Sequence, residues 1–292
     1  MSDETAGKSP PTREGGAPKH ILRDTSLLPA LVTLMNGIAG FAAIHYATKG
    51  PLGTAELGNL TLSAWLIFAA IVFDALDGRV ARMTRKATDF GAQLDSLCDA
   101  ISFGVAPAIL MVHTVFTAIG GFDILSLHTP LLGKFVMAIG ALYACCAVLR
   151  LARFNVENVP DVLHHMYFKG LPVPGAAATI ASLVLLFAFL QGEIGGWKGA
   201  DWLEIAVATA LPAVTLACSG LMISRFNYPH LVNQVIQGDR SFGYIVKALV
   251  VIVAAMIFPQ MALALGTLGY AASGPARAAW QRIRPAKPPP AA

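Results

Sequence analysis

Charge is scarce in this chain: Asp, Glu, Lys and Arg make up 13% of its 292 residues, about half the share of a typical soluble domain. Hydrophobic residues fill 55% of it, and the mean hydropathy is +0.62. That balance excludes a disordered protein, a coiled coil and an ordinary water-soluble enzyme. Cysteine is scarce too. Cys98, Cys145, Cys146 and Cys218 all lie in apolar runs without metal-ligand spacing, which argues against a disulfide framework or a zinc site. Paired metal spacing is equally missing among His45, His113, His128, His164, His165 and His230, which read as interfacial or solvated side chains. No self-similar period of repeat-protein length is present. Long apolar runs are what the sequence has in abundance, and they define an all-α polytopic membrane protein.

Residues 1–25 are rich in Gly, Pro, Ser, Thr and charge and are expected to form a disordered tail, with no secretory-signal pattern in it. Residues 274–292, rich in Pro and Arg, read as a second tail, which leaves 26–273 as the transmembrane domain. A hydrocarbon core of about 30 Å takes about 20 apolar residues per helix. Spans are predicted near 26–47, 61–84, 91–119, 131–154, 173–191 and 202–223. The region 242–273 is long for one helix and short for two. Pro259 lies in its middle, and proline kinks or ends a helix, so one kinked span or a tight hairpin at Phe258-Pro259-Gln260 both fit.

The placement of basic residues sets the orientation. Lys8, Arg13, Lys19 and Arg23 share one side with Arg79/Arg82/Arg85/Lys86, Arg150/Arg153/Lys169 and Arg225/Arg240/Lys247, while the other side holds Lys49, Lys134 and Lys198. The first side, with the N-terminus, is therefore expected to be cytoplasmic. Arg277, Arg282, Arg284 and Lys287 join it only if 242–273 crosses twice, which favours eight crossings over seven. The segment 154–172, with Tyr167, Phe168 and Lys169, is expected to lie along the cytoplasmic interface.

Against this background, four acids stand out at the cytoplasmic ends of the second and third spans: Asp74, Asp77, Asp95 and Asp99. An ionisable side chain in a membrane helix is a functional hypothesis by default. At about 100° per residue, Asp74, Asp77, Gly78, Ala81 and Arg82 fall within an arc of roughly 140°. Asp95 and Asp99 lie one turn apart on the next helix. The polar connection Arg85–Asp89 lets the two helices run antiparallel and brings the acidic faces together. Converging carboxylates repel one another unless divalent cations hold them, and all-oxygen ligation suits Mg2+ or Mn2+. Gly78, Ala81 and Gly91 leave room for a bulky ligand, and Arg82 is placed to meet a phosphate. Salt bridges to Arg79, Arg82, Arg85 and Lys86 are the plainer explanation, but those bases sit mainly in the connection while the acids repeat on two faces.

Written out, residues 74–99 read Asp74-x2-Asp77-Gly78-x2-Ala81-Arg82-x8-Gly91-x3-Asp95-x3-Asp99. This matches every fixed position of the motif of the CDP-alcohol phosphotransferase family. The chain further resembles the membrane-embedded phosphatidylserine synthases of that family at Leu149–Val156, Lys169–Ala178, Leu221–Ser224 and Tyr228-Pro229. The likeness runs from about residue 26 to 273. It implies a six-helix core with one or two C-terminal helices, usually a homodimer, with a cytoplasmic active site in a bacterial inner or plasma membrane. Members displace CMP from a CDP-linked substrate with an alcohol and two divalent ions, Mg2+ or Mn2+. Here the donor would be CDP-diacylglycerol and the acceptor L-serine, and no nucleic-acid partner is expected.

By the same resemblance, Asp74, Asp77 and Asp95 would hold the metals, with Asp99 near the second. Gly78, Ala81 and Asp77 would line the cytidine pocket, with Gly91 close by and Arg82 steadying the phosphates. Asp99 is the expected general base for the seryl hydroxyl. A serine carboxylate calls for a planar cation, so Arg150, Arg153 and Asn155 form the candidate acceptor pocket, although basic residues at a cytoplasmic helix end also follow from topology alone. Thr33 and Asn36 share a face of the first span and are weaker candidates for touching the nucleotide, since such residues also bridge membrane helices. Pro29, Gly37 and Gly40 read as close-packing positions. No nucleophilic Ser/His/Asp set is apparent, which favours direct displacement. Glycerol 3-phosphate, choline or inositol phosphate remain alternative acceptors. A cation transporter is the alternative of another class, but the acids cluster at one membrane end and no inverted repeat is evident.

Overall fold

Inside a bilayer every backbone N–H and C=O must find its partner within the protein, and the long apolar runs do so as helices. The computed structural model describes residues 27–50, 56–84, 89–120, 131–157, 167–194, 201–229 and 256–283. Its helices are α1 (Leu27–Ala47), α2 (Leu57–Thr84), α3 (Asp89–Asp99), α4 (Ala106–Ala118), α5 (Leu131–Glu157), α6 (Val173–Ile194), α7 (Asp201–Ile223) and α8 (Pro259–Ile283). A π-helical segment, Ala100–Val105, joins α3 to α4 without a break. Six helical stretches are long and apolar enough to cross a membrane, and they match the predicted spans to within about a turn.

The choice between seven and eight crossings falls on residues 230–255, outside the described residues, as do the tail residues 1–26 and 284–292. So do the side chains of Arg85, Lys86, Lys198, Arg240 and Lys247, and His128, His164, His165 and His230.

Large side chains such as Phe103, Phe116 and Tyr143 are buried in the core, but many others face outward. Small residues fill the contacts between helices, with Ala39, Ala43, Ala64, Ala70, Ala147, Ala176, Ala177 and Ala181 buried. Large apolar side chains such as Leu31, Ile38, Phe41, Val72, Phe135, Leu149 and Ile205 point outward. Exposed large apolar side chains and small residues at helix contacts suit helices surrounded by lipid, where close approach of backbones supplies the packing. α1 lies along α2 and meets α3 and the π segment, α5 packs on α7, and α8 lies against α6.

Three features depart from the sequence reading. The third span is not one regular helix, because of the π segment. A two-stranded antiparallel ribbon, β1 (Tyr167–Lys169) with β2 (Asn227–Pro229), interrupts the all-helical plan, pairing Phe168 with Tyr228. Finally, α8 begins at Pro259 and runs through Gly274 and Pro275 to Ile283, into the stretch expected to be tail.

At two of these a proline's missing N–H is made good by a tyrosine hydroxyl from elsewhere. Pro107 has no N–H for the Phe103 carbonyl four residues earlier, and the buried Tyr143 hydroxyl donates to that carbonyl instead, at 3.0 Å. Pro275 likewise leaves the Ala271 carbonyl without a helical donor, and the buried Tyr228 hydroxyl takes its place at 2.9 Å. Gly274 is needed there: a Cβ on it would lie 2.5 Å from Tyr228 Cζ. Burial pushes the Tyr228 hydroxyl up to about 12, so it stays a donor at any working pH. Tyr228→Phe should therefore lower stability by about 1–3 kcal/mol, the cost of one orphaned buried carbonyl. Adding Pro275→Ala, which returns an N–H, should recover most of that loss in a thermal melt of the detergent-solubilised protein.

Candidate active site

The acidic site is assembled towards one end of the bundle, between the C-terminal half of α2 and the second half of α3. One carboxylate oxygen from each of Asp74, Asp95 and Asp99 lies within 4.8 Å of the other two. Asp74 and Asp95 are half-buried and Asp99 is buried. Asp77, one turn beyond Asp74, stands outside that trio. It is buried and within electrostatic reach of all three, and it accepts a hydrogen bond from Thr33 Oγ1 of α1. The quartet expected from the sequence is thus a converging trio with a fourth acid beside it. The donor set is all oxygen, and the residues present fit a divalent metal.

α1 supplies the donors that hold two of the acids. Asn36 Nδ2 donates to Asp99 Oδ1 at 2.8 Å, as Thr33 does to Asp77. α1 can approach so closely because of its glycines. A Cβ on Gly37 would come 3.0 Å from Cys98 Sγ, and one on Gly40 would come 2.6 Å from Ser102 Cα. Ser102 Oγ also donates to the Asn36 carbonyl at 2.8 Å, tying the π segment to α1. Thr33 and Asn36 therefore do bridge helices, but their partners are the motif acids themselves. The one signal for this in the sequence was their shared face. Ser102 carried none.

Gly78 is exposed, with no described residue within 4 Å of where a Cβ would stand. Gly91 is half-buried at the start of α3. Of Ala81 and Arg82 only the helical backbone is described, in the last turn of α2.

The end of α5 reaches the same neighbourhood. Asn155 Nδ2 donates to Ser96 Oγ at 2.8 Å, next in sequence to Asp95. Arg153 is half-buried and Arg150 is buried. The Arg150 guanidinium reaches the Leu171 and Gly170 carbonyls, each at 3.4 Å. Gly170 has φ +84° and is pressed by the Met222 and Ser224 carbonyls, so no side chain fits there. Its N–H bonds the Phe226 carbonyl at 2.7 Å. Arg150 thus braces the turn into α6, a task the sequence did not reveal. Ser96 was likewise missed.

Comparison with known proteins points the same way. A family model described as CDP-alcohol phosphatidyltransferase matches residues 26–219. The chain is 35% identical over 171 residues to the CDP-diacylglycerol–serine O-phosphatidyltransferase of Helicobacter pylori (57% of this chain, 62% of the relative). It is 35% identical over 196 residues to the protein of that name in Mycobacterium tuberculosis (64% and 60%). It is 34% identical over 206 residues to the archaetidylserine synthase of Methanothermobacter thermautotrophicus (70% and 70%). The chain spans about three fifths of the length of the first two.

Proposed function

Since the chain belongs to the CDP-alcohol phosphatidyltransferase family, we propose that it transfers a phosphatidyl group from CDP-diacylglycerol to L-serine, releasing CMP and forming phosphatidylserine. The observation that carries the chemistry is the meeting of Asp74, Asp95 and Asp99 within 4.8 Å at the motif positions. Serine as acceptor rests on the relatives above, whose names specify it or its archaetidyl counterpart.

Asp74, Asp95 and Asp99, with Asp77 beside them, would hold Mg2+ or Mn2+. Bound there, the ions would neutralise charge on the pyrophosphate and on departing CMP. Gly78 leaves the cytidine and its phosphates free to approach the backbone of α2, with Asp77, Ala81, Gly91 and Arg82 around them. The acyl chains would stay between helices at the lipid-facing surface. Asp99, held by Asn36, would take the proton of the seryl hydroxyl as that oxygen attacks the lipid-side phosphorus. The phosphorus–oxygen bond to CMP breaks, and CMP leaves with the electron pair. The site would open to the cytoplasm, on the side of the basic clusters.

Arg153 and Asn155 are the proposed contacts for the serine carboxylate, and Arg150 their support from behind. With purified protein and CDP-diacylglycerol, labelled serine should be incorporated in strong preference to glycerol 3-phosphate, choline or inositol phosphate. Arg153→Lys should raise the serine KM about tenfold, by loss of the planar fork. An equal rate with another acceptor would reassign the substrate, and an unchanged serine KM would remove Arg153 from the pocket. Uptake of metal into vesicles without CMP release would instead favour a transporter.

A further inference from the structure

Asn36 is fully buried on α1, its Nδ2 donates to Asp99, and its Oδ1 has no hydrogen-bond partner among the described residues. An orphaned buried acceptor is destabilising. An amide serving merely to join helices would be expected to use both ends, so the end that is used carries the meaning. Its position is also fixed from outside: Ser102 bonds the Asn36 carbonyl, and Gly40 lets the π segment close on α1. Asp99 is the last residue of α3, immediately before that π segment, and π-bulges recur at functional sites. α1 and the π segment together thus form a rigid mount for one donor aimed at one carboxylate.

We propose that Asn36 is a positioning residue for Asp99, pinning one carboxylate oxygen by its amide N–H so that the other stays directed at the acid cluster. This rests on the reading of Asp99 as a metal-site acid and base. Asn36 needs no contact with nucleotide or serine to act. Supporting residues of this kind change metal affinity or activity by about 10–100-fold when removed.

The test is a double-mutant cycle read by Mn2+ affinity in the absence of substrate, using electron paramagnetic resonance on the detergent-solubilised full chain. Asn36→Leu should weaken Mn2+ binding about tenfold. Asp99→Asn should also weaken it, and the double variant should bind no more weakly than Asp99→Asn alone, because Asn36 acts through Asp99. Wild-type affinity in Asn36→Leu, or losses that multiply in the double variant, would overturn the proposal. Where Asn36→Leu does not run as a single gel-filtration peak, Asn36→Ala, which adds no volume, replaces it in the cycle. Serine turnover is measured on the same proteins. Normal turnover in Asp99→Asn would sink the base assignment while the Mn2+ cycle still judges the role of Asn36.

Discussion

Asp99→Asn is expected to reduce turnover by about 10²–10⁴-fold, the usual worth of a general base, while CDP-diacylglycerol still binds within a few-fold at saturating Mn2+. The reasoning starts from volume and charge. Asparagine fills the same space, so the packing of α3 on α1 survives, and Asn36 keeps a carbonyl oxygen to donate to in place of Asp99 Oδ1. What disappears is a group able to accept a proton. Loss of kcat with little change in the KM for lipid is the signature of an interaction made in the transition state alone. A fall in lipid binding of the same size as the fall in turnover would instead mark Asp99 as a ground-state ligand. Turnover near that of the wild type would remove Asp99 from the chemistry.

How much of this was legible beforehand depended on whether a feature is written locally. The spans are local: an apolar run of bilayer length has no alternative to a helix in lipid, and α1 to α7 lie where hydropathy put them. The acids were legible because spacing on a helix fixes which side chains share a face. The π segment was not, because one extra residue per turn leaves the hydropathy of Ala100–Val105 untouched. Nor was the continuation of α8 past Pro275, where the missing N–H is compensated by Tyr228, 43 residues in sequence from Ala271. Thr33 and Asn36 show the boundary most clearly. Their common face followed from the sequence, but only the packing of α1 on α2 and α3 shows that this face meets Asp77 and Asp99. Arg150 was ambiguous for a related reason. A basic residue at that helix end serves topology, substrate or backbone equally well, and its bonds to Gly170 and Leu171 show that it does at least the last.

The acids of the trio also predict a dependence on metal that can be told apart from a loss of fold. Chelation with EDTA should lower transfer to background, and added Mn2+ or Mg2+ should restore it. Asp95→Asn should lower turnover by several orders of magnitude at ordinary metal concentrations. The geometry explains why one substitution is so costly: with oxygens of Asp74, Asp95 and Asp99 all within 4.8 Å, each acid supplies a large share of the charge that draws the ion in. An amide offers one neutral oxygen where a carboxylate offered a charged one. Raising the Mn2+ concentration should therefore recover part of the Asp95→Asn activity, because mass action offsets weaker binding. It should recover little in Asp99→Asn, where the missing proton acceptor is not supplied by more ion. The opposite ranking would exchange the roles assigned to the two residues. Full activity after exhaustive chelation would mean that the trio is held together by something other than a divalent cation, and the mechanism built on it would fall.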